Sequence, residues 1–553
     1  MRTGRVLLVA AAAIAVGLLH QSSTSLQAQE PSIALAGRVT SAEEGPMEGV
    51  LVTARKSGAT IAITVVTDRQ GRFRFPSAKL EPGAYGLRIR AVGYELEGPE
   101  SAIVAAQRTT VVDLKLGKTS DLAAQLTNAE WLSSLPGEPE QKRFLLDCVG
   151  CHTLERVARS QFDSAEFIPV LQRMSEHASM STPEHPQWRV AVRTIRPERL
   201  REMADYLSTI NLSVGSEWQY PLKAHARPAG KATRVIITEY DLPRPTMQPH
   251  DVHRDNDGML WFSDFGEQVL GKLDPRTGRI TEYPIPELKP GFPTGTLGME
   301  PDHEGNYWLA LMYQAGIAKF DRTTKQFQLW SMPKDVNTDA TQQSMVMPRH
   351  SHVDGKVWAN DDDRRVISRL DPASGGFELI DPFAHLPGGR GHFPYGLAAD
   401  PRNNLFFMDF SDENIGRIDA KTLTVQIFPT PTARSRPRRG MLDATGRLWF
   451  AEFAGNRVGM FDTKSERFQE WEVPTPWTAP ADVAIDRFGE LWAGSMGSDR
   501  VVRLDPGSGR MTEYLLPRQT SMRKVFLDDS TTPAAFWTGN TRGASIVKVE
   551  PLD

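Results

Sequence analysis

The only two cysteines of this 553-residue chain lie in the stretch DCVGCHTLE, residues 147–155. Cys148 and Cys151 form a C-x-x-C pair, and His152 follows directly. Three chemistries use such a pair: a thioredoxin-like redox couple, half of a zinc site or, when a histidine follows, attachment of c-type haem. Because the two cysteines are too close in sequence to join distant parts of a fold, we expect them to serve chemistry.

The surrounding sequence decides among these three interpretations. A thioredoxin-like pair opens a helix in a βαβ unit, and no such alternation surrounds Cys148. A zinc site needs four ligands, and only the weakly spaced His177 and His185 lie nearby. In c-type attachment the two thiols add to the haem vinyl groups and the adjacent histidine binds the iron. The sequence therefore predicts one covalent haem c, bound by Cys148 and Cys151 with His152 as the proximal iron ligand.

Residues 120–212 are predicted to form a small all-α domain around this motif. In SAEFIPVLQRM, Phe167, Leu171 and Met174 fall on one helical face, and LREMADYLSTIN shows the same spacing. The stretches DCVGCHTLE, FIPVLQRM and LREMADYLSTIN resemble the cytochrome c family. That resemblance implies electron transfer to and from a redox partner. The apolar stripes are thin for an independent core, so haem is expected to supply part of it.

The resemblance also implies a sixth iron ligand, usually methionine, which raises the reduction potential. Met174 is the preferred candidate because its helical position faces the expected haem side. Met180, in the following loop, is the alternative. His177 or His185 would instead give a bis-histidine haem, and Met203 is assigned to packing.

The N-terminal residues indicate export. Two arginines precede an uncharged apolar run and then small and polar residues, which is typical of a secretory signal peptide over residues 1–28. The run is shorter than the ~20 residues of a spanning helix, and no later stretch is apolar enough to cross a membrane. A periplasmic or extracellular location is expected. Basic residues are scattered and the net charge is −4, which argues against a nucleic-acid partner.

Residues 32–117 carry short alternating runs separated by turn residues, which predicts a β-sandwich. The spacing of Gly37, Val39 and the stretches 46–52, 67–75 and 83–93 resembles the carboxypeptidase regulatory-like domain, a non-catalytic accessory fold. A Gly-, Pro- and Ala-rich linker is expected over residues 213–233.

Residues 234–553 repeat one unit: an apolar strand, a turn, an aromatic second strand, a G-K-L-D-like strand and an I-T-E-Y-like strand. The first three strands recur seven times but the fourth only six, and residues 236–240 supply the missing copy. The N-terminal strand is therefore expected to close a seven-bladed β-propeller. The aromatics of the second strand are Trp261, Trp308, Trp358, Phe406, Trp449, Trp492 and Trp537.

The repeat unit resembles the streptogramin (virginiamycin B) lyase family in MQPHDVHRDNDGMLWFSDF, VLGKLDPRTGRITEYPIP, NIGRIDAKT and RLWFAEFAGNRVGMFD. Active members eliminate across a C–O bond with an imidazole base and a divalent metal. The resemblance implies catalytic roles for His250, which follows a proline at the start of an inner strand, for His350 and for Glu452. The second P-H pair expected of the lyases is missing, since Arg349 stands at one equivalent place.

The acid position three residues after the aromatic holds Asp264, Asp361 and Asp409 besides Glu452. An ordinary structural role at strand ends is the alternative for these residues. The predicted propeller face gathers cations, which suit a small anionic or polar ligand or a divalent cation; they are His250, His350, Arg349, Arg438, Arg439, Arg523 and Lys524.

The sequence thus predicts a multidomain, mainly β protein: a β-sandwich, a small all-α cytochrome c domain and a seven-bladed propeller. We expect haem binding and electron transfer, with the propeller binding a small ligand or a redox partner. The alternatives are a metal-assisted lyase of the streptogramin type and a non-catalytic binding module. The residues alone do not decide whether the protein is an enzyme. Of the two enzyme classes considered, an oxidoreductase is favoured over a carbon–oxygen lyase.

Overall fold

The structure is a computed structural model that describes residues 32–192, 194–384, 386 and 391–552. The predicted signal peptide at residues 1–28 lies outside the described residues. Among the helices within these ranges, none combines the length and the apolar character needed to cross a membrane.

The first ten strands form two sheets that share one apolar core, as the predicted β-sandwich requires. Strand alternation explains the core: in RFRFP, Phe73 and Phe75 are buried while Arg72 and Arg74 are exposed. The strands are β1 (Ile33–Ser41), β2 (Gly45–Pro46), β3 (Leu51–Lys56), β4 (Ile61–Val66), β5 (Arg72–Pro76), β6 (Gly83–Arg90), β7 (Tyr94–Gly98), β8 (Ser101–Val104), β9 (Thr110–Val111) and β10 (Leu114–Lys118).

Six α-helices follow among the described residues, and the chemistry of their first turns explains where two of them begin. Thr127 and Glu130 form a reciprocal capping box at α1, and Asp163 and Glu166 form another at α5. The helices are α1 (Asn128–Ser134), α2 (Pro139–Lys142), α3 (Leu145–Cys148), α4 (Leu154–Ala158), α5 (Ser164–Glu176) and α6 (Pro197–Ile210); short 3-10 turns lie at Ala123–Gln125, Gly230–Thr233 and Ser351–Val353. We call residues 123–210 the helical segment.

The remaining strands form seven four-stranded blades. After β11 (Val235–Asp241), six consecutive blades are β12 (Pro249–Arg254), β13 (Leu260–Asp264), β14 (Val269–Asp274), β15 (Arg279–Pro284); β16 (Met299–Pro301), β17 (Tyr307–Leu311), β18 (Gly316–Phe320), β19 (Phe327–Ser331); β20 (Val346–Met347), β21 (Val357–Asp361), β22 (Val366–Asp371), β23 (Gly376–Ile380); β24 (Pro394–Ala399), β25 (Leu405–Asp409), β26 (Asn414–Ile418), β27 (Val425–Pro429); β28 (Pro437–Leu442), β29 (Arg447–Glu452), β30 (Arg457–Asp462), β31 (Arg467–Glu472); and β32 (Pro480–Ile485), β33 (Leu491–Ser495), β34 (Arg500–Asp505), β35 (Arg510–Leu515). The last blade comprises β36 (Phe526–Asp528), β37 (Ala535–Asn540), β38 (Ser545–Pro551) and, from the start of the propeller, β11.

The predicted ring closure is confirmed, because β11 pairs antiparallel with β38 along its whole length, from Val235↔Pro551 to Asp241↔Ser545. The other edge of β11 pairs antiparallel with sandwich strand β4, from Ile236↔Val65 to Tyr240↔Ile61. One continuous eight-stranded sheet therefore joins the last blade to the sandwich. The sequence did not predict this second pairing.

A repeated aspartate–tryptophan hydrogen bond explains why the second strands carry tryptophan. The indole nitrogen of Trp261 donates to Asp255 over 2.8 Å, and that of Trp449 donates to Asp443 over 2.9 Å. Asp255 also accepts a backbone N–H two residues later, which fixes the turn before β13. Trp308 and Trp492 make the same bond to Asp302 and Asp486, so the polar atoms of these four buried tryptophans are satisfied.

Candidate functional site

The C-x-x-C turn begins at the C-terminal end of α3 and places both thiols and the imidazole on one short loop. Cys148 and Cys151 are free and half-buried, and the Cys151 sulfur lies 3.6 Å from the Ser179 carbonyl oxygen. Nδ1 of His152 lies 2.9 Å from the Thr153 carbonyl oxygen. A carbonyl only accepts, so Nδ1 carries the hydrogen and Nε2 presents its lone pair.

Burial sets the protonation of these three groups. It raises the pKa of Cys148 to about 12, so this thiol is protonated at neutral pH. Burial also raises the pKa of Cys151, against the opposing effect of the nearby Arg523, Arg189 and Arg542. The pKa of His152 is lowered, mainly by burial, which keeps the imidazole neutral and its lone pair available.

The apolar core of the helical segment is shared with the propeller. Leu145, Leu146 and Val149 of the motif region belong to one buried cluster that also contains Phe453 and Met496 of the propeller. The sequence interpretation assigned the missing part of this core to haem. The structure shows that the propeller covers part of this apolar surface.

The two methionine candidates lie in very different surroundings. Met174, in the last turn of α5, is 39% exposed, whereas Met180 is 1% exposed. The expected apolar face of α5 is buried only at Phe167 and Leu171, so Met174 lies outside it. Met180 packs with Phe265 in a propeller cluster and follows Ser179, whose carbonyl faces Cys151.

The two neighbouring histidines have different surroundings. The His177 ring stacks on Trp188 with centroids 4.1 Å apart, and its Nδ1 lies 3.2 Å from the Ser181 hydroxyl. The backbone N–H of His185 donates to the Thr182 hydroxyl, and among the described residues its buried Nδ1 has no hydrogen-bond partner. Met203 is a partly buried packing residue, as expected.

The helical segment covers one end of the propeller. We call this the upper end: each inner strand begins here and each second strand ends here, as in the direct pair Pro249↔Asp264. Contacts to several blades dock the segment. They include Gln248 Nε2 to the Met180 carbonyl (2.7 Å), Thr294 N to Gln187 Oε1 (2.8 Å) and Ala129 N to the Gly497 carbonyl (2.9 Å).

His250 lies at this end in a buried chain of hydrogen bonds. Its Nδ1 donates to Asp251 over 2.7 Å, and Asp251 accepts two hydrogen bonds from Arg439 at 2.7 and 2.8 Å. Within the described residues, Nε2 of His250 has no partner. Burial lowers the pKa of His250 to about 3, so it is a neutral imidazole at ordinary pH. Sequence reasoning found His250 and Arg439 but missed the adjacent Asp251 that joins them.

The structure does not bring His350 to His250. His350 follows the short inner strand β20, at the end opposite to the one where β12 begins with Pro249 and His250. It lies near His352, with ring centroids 6.1 Å apart. Arg349 and Lys524 instead bind the buried Glu300, at 3.2 and 2.5 Å.

The acids after the second strands mostly hold turns. Asp264 accepts the backbone N–H groups of Gly266 and Glu267, each at 2.9 Å. Asp361 accepts from Asp363 at 3.0 Å, and Asp409 accepts similarly from the turn that follows it. These acids therefore have the structural role that was the alternative interpretation. In the described part of the chain, no three His, Cys, Asp or Glu side chains are grouped so that they could hold a metal ion.

Glu452 differs, because neither of its buried carboxyl oxygens has a hydrogen-bond partner among the described residues. Burial, followed by the charge of Glu470, raises the pKa of Glu452 to about 8, against the smaller effect of Arg457. The raised pKa favours the protonated form of Glu452 at neutral pH.

This raised pKa predicts a pH-dependent stability difference. The folded protein binds one more proton than the unfolded chain between the ordinary glutamate pKa and about 8, so Glu452 makes stability fall as pH rises through that window. Relative to wild type, the free energy of unfolding of Glu452→Gln is expected to increase by up to about 4 kcal/mol between about pH 5 and about pH 9. Urea unfolding at both pH values measures the difference. Glu472→Gln, at an exposed site, should show none, and a pH-independent Glu452→Gln difference would contradict the assignment.

Two family comparisons match parts of the chain. Residues 292–551 match the virginiamycin B lyase family, and residues 34–117 match the carboxypeptidase regulatory-like domain. Neither match includes the helical segment. A search of curated proteins gives no significant match.

Solved structures with detectable similarity include virginiamycin B lyase from Staphylococcus aureus, at 20% identity and TM-score 0.49, covering 57% of this chain and 100% of that one. A streptogramin B lyase structure has 21% identity and TM-score 0.48, covering 59% and 100%. The extracellular domain of a putative one-component system from B. thetaiotaomicron has 15% identity and TM-score 0.43, covering 55% and 40%.

Proposed function

We propose that the protein is an exported, periplasmic or extracellular c-type haem protein that transfers electrons. The observation that carries this proposal is the donor set of one short turn. Cys148 and Cys151 are both free, and His152 has Nδ1 anchored on a backbone carbonyl with Nε2 presenting its lone pair. A backbone or carboxylate acceptor on the far nitrogen is the usual support for a metal-binding histidine. When bound, haem supplies an iron centre that takes up and releases one electron.

The chain's own residues prepare this site. Burial keeps the Cys148 thiol protonated and the His152 imidazole neutral, and the apolar cluster around Leu145 and Val149 excludes water. Docking against the propeller fixes the turn on a rigid scaffold. The propeller would then contribute recognition of a small polar or anionic ligand or of a one-electron redox partner.

For the sixth ligand we favour Met180 over Met174. Met180 is buried next to Ser179, and the Ser179 carbonyl lies 3.6 Å from the Cys151 sulfur. Met174 is exposed on the outer side of α5. The loop after α5 therefore contacts the attachment turn through Ser179, which directly precedes Met180.

Substitution by leucine tests this preference, since leucine keeps the apolar volume and removes the sulfur. Met180→Leu is expected to lower the haem midpoint potential, because methionine ligation raises it. Met174→Leu, the matched control, should leave the potential unchanged. Redox titration followed by absorbance gives both values, and a shift in Met174→Leu alone would reverse the assignment.

A streptogramin-type lyase is the second candidate, favoured by the family match over residues 292–551 and by the free Nε2 of His250. The lyase has less support than the haem protein. The helical segment covers the upper end of the propeller, where His250 lies, and His350 lies at the opposite end. Lyase activity predicts metal-dependent turnover that is lost in His250→Ala. A binding module without chemistry predicts neither turnover nor a haem couple.

The deciding experiment is a redox titration of protein exported from a host that matures c-type cytochromes. We expect a reversible one-electron couple with a c-type α-band. Cys148→Ala/Cys151→Ala should lose covalent haem, and His152→Ala should alter the spectrum, whereas the exposed-site control His303→Ala should change neither. A colourless wild-type protein would refute electron transfer and leave the lyase and binding proposals to be tested.

A further inference from the structure

Two arginines of the last blade bind the peptide groups between the two cysteines. Arg523 Nη2 donates to the Gly150 carbonyl over 2.8 Å, and Arg542 Nη2 donates to the Val149 carbonyl over 2.8 Å. Val149 and Gly150 are the two residues inside the C-x-x-C turn. The turn is thus held by side chains almost 400 residues further along the chain.

In the part of the chain that the structure describes, neither arginine pairs with a carboxylate. Within the described residues, no ion pair up to 4.0 Å includes Arg523 or Arg542. Asp499, which acts electrostatically on Arg542, is already paired with Arg90 at 2.7 Å. Arg439, by contrast, is matched by two hydrogen bonds to Asp251.

Burial of the Arg523 cation opposes folding. Arg523 is 9% exposed, and burying a charge without a counter-charge opposes folding unless another group benefits from it. Burial lowers the pKa of Arg523 only to about 10, so it remains protonated at neutral pH. At neutral pH the Arg523 guanidinium therefore remains positively charged next to the Cys148–Cys151 turn.

The two charges lie beside the groups that would bind haem. Each guanidinium is 2.8 Å from a peptide carbonyl between Cys148 and Cys151, and His152 follows directly. Since the interior screens charges less than water does, a redox centre held at these residues would be subject to the field of both cations.

We propose that Arg523 and Arg542 position the Cys148–Cys151 turn and raise the midpoint potential of the haem attached there. Reduction adds one electron, and a nearby buried cation stabilises the state that holds it. The propeller thereby sets the electrochemistry of the helical segment as well as docking it. This inference rests on the proposed haem attachment and goes beyond it, because it assigns redox tuning to the propeller.

The test uses the full exported holoprotein. Arg523→Gln and Arg542→Gln are each expected to lower the potential by an amount equal to about a tenfold change in the reduced-to-oxidised ratio, about 59 mV for one electron. Arg523→Lys and Arg542→Lys keep the charge and should shift it by less than half as much. Arg467→Gln, an exposed arginine on the outer strand of another blade, is the matched control and should not shift it.

The outcomes distinguish a failure of this inference from a failure of the proposed haem attachment on which it rests. Haem-loaded glutamine variants with the potential of Arg467→Gln overturn the inference and leave electron transfer intact. Lysine variants that shift as far as the glutamine variants overturn the charge argument. Wild-type protein without covalent haem refutes the proposed function itself. If one glutamine variant does not fold, the other still decides the question, because the two arginines bind different carbonyls.

Discussion

Replacing Asp251 with alanine is expected to destabilise the propeller by about 3–5 kcal/mol, because it removes the counter-charge of a buried arginine. Asp251 is fully buried and bonds Arg439 twice, His250 Nδ1 once and the Met299 backbone N–H at 3.0 Å. Alanine would leave the Arg439 guanidinium in the interior without a carboxylate to pair with. Chemical denaturation of the mature protein measures the loss.

The double variant Asp251→Ala/Arg439→Met tests the cause. If the uncompensated charge dominates, removing it should restore much of the lost stability. Glu472→Ala is the matched surface control: Glu472 pairs with Arg457 at 3.0 Å but is 68% exposed, so we expect a cost below about 1 kcal/mol. A cost for Asp251→Ala no larger than for Glu472→Ala would contradict the assignment.

Removing the β-sandwich is expected to make the remaining protein aggregate. Strand β4 covers the outer edge of β11, and Ile236 of β11 belongs to the sandwich core. A chain that starts after residue 118 would expose a long apolar edge strand with unpaired backbone groups, which is a template for intermolecular pairing. It would also lose the ion pair between Lys79 and Glu550 (2.6 Å). Light scattering and size-exclusion chromatography report the association.

A lysine on the exposed edge provides the control for this truncation. Ile236→Lys should restore monomers in the shortened chain, since a charge on an edge strand opposes pairing. In the full-length protein the same change should lower the stability of the fold, because it would place a lysine in the sandwich core. A monomeric truncated protein with an unchanged melting temperature would show that β4 does not protect the propeller.

The propeller could be predicted because its information is local and repeated. A tryptophan and an aspartate at fixed spacing recur in four of the blades, and each pair fixes one turn and one buried indole. Counting strands was enough to predict that residues 236–240 close the ring, and β11 does so. The turn-holding role of Asp264 was likewise one of the two interpretations available from its place at a strand end.

Contacts between segments could not be predicted in this way. The hydrogen bond from Arg542 to Val149 and the pairing of β4 with β11 join distant parts of the chain, and neither leaves a periodic signal. Met174 illustrates the same limit. Helical spacing placed Met174 on an apolar stripe of α5. Whether the last turn of such a stripe is buried depends on tertiary packing, and Met174 is 39% exposed.

The most direct test of the central claim is the intact mass of the exported chain after complete denaturation. If Cys148 and Cys151 hold haem covalently, wild-type protein will carry the added mass of one haem and Cys148→Ala/Cys151→Ala will have the mass of the polypeptide alone. Wild-type protein at the bare polypeptide mass, from cells in which a control c-type cytochrome is fully loaded, would contradict the account.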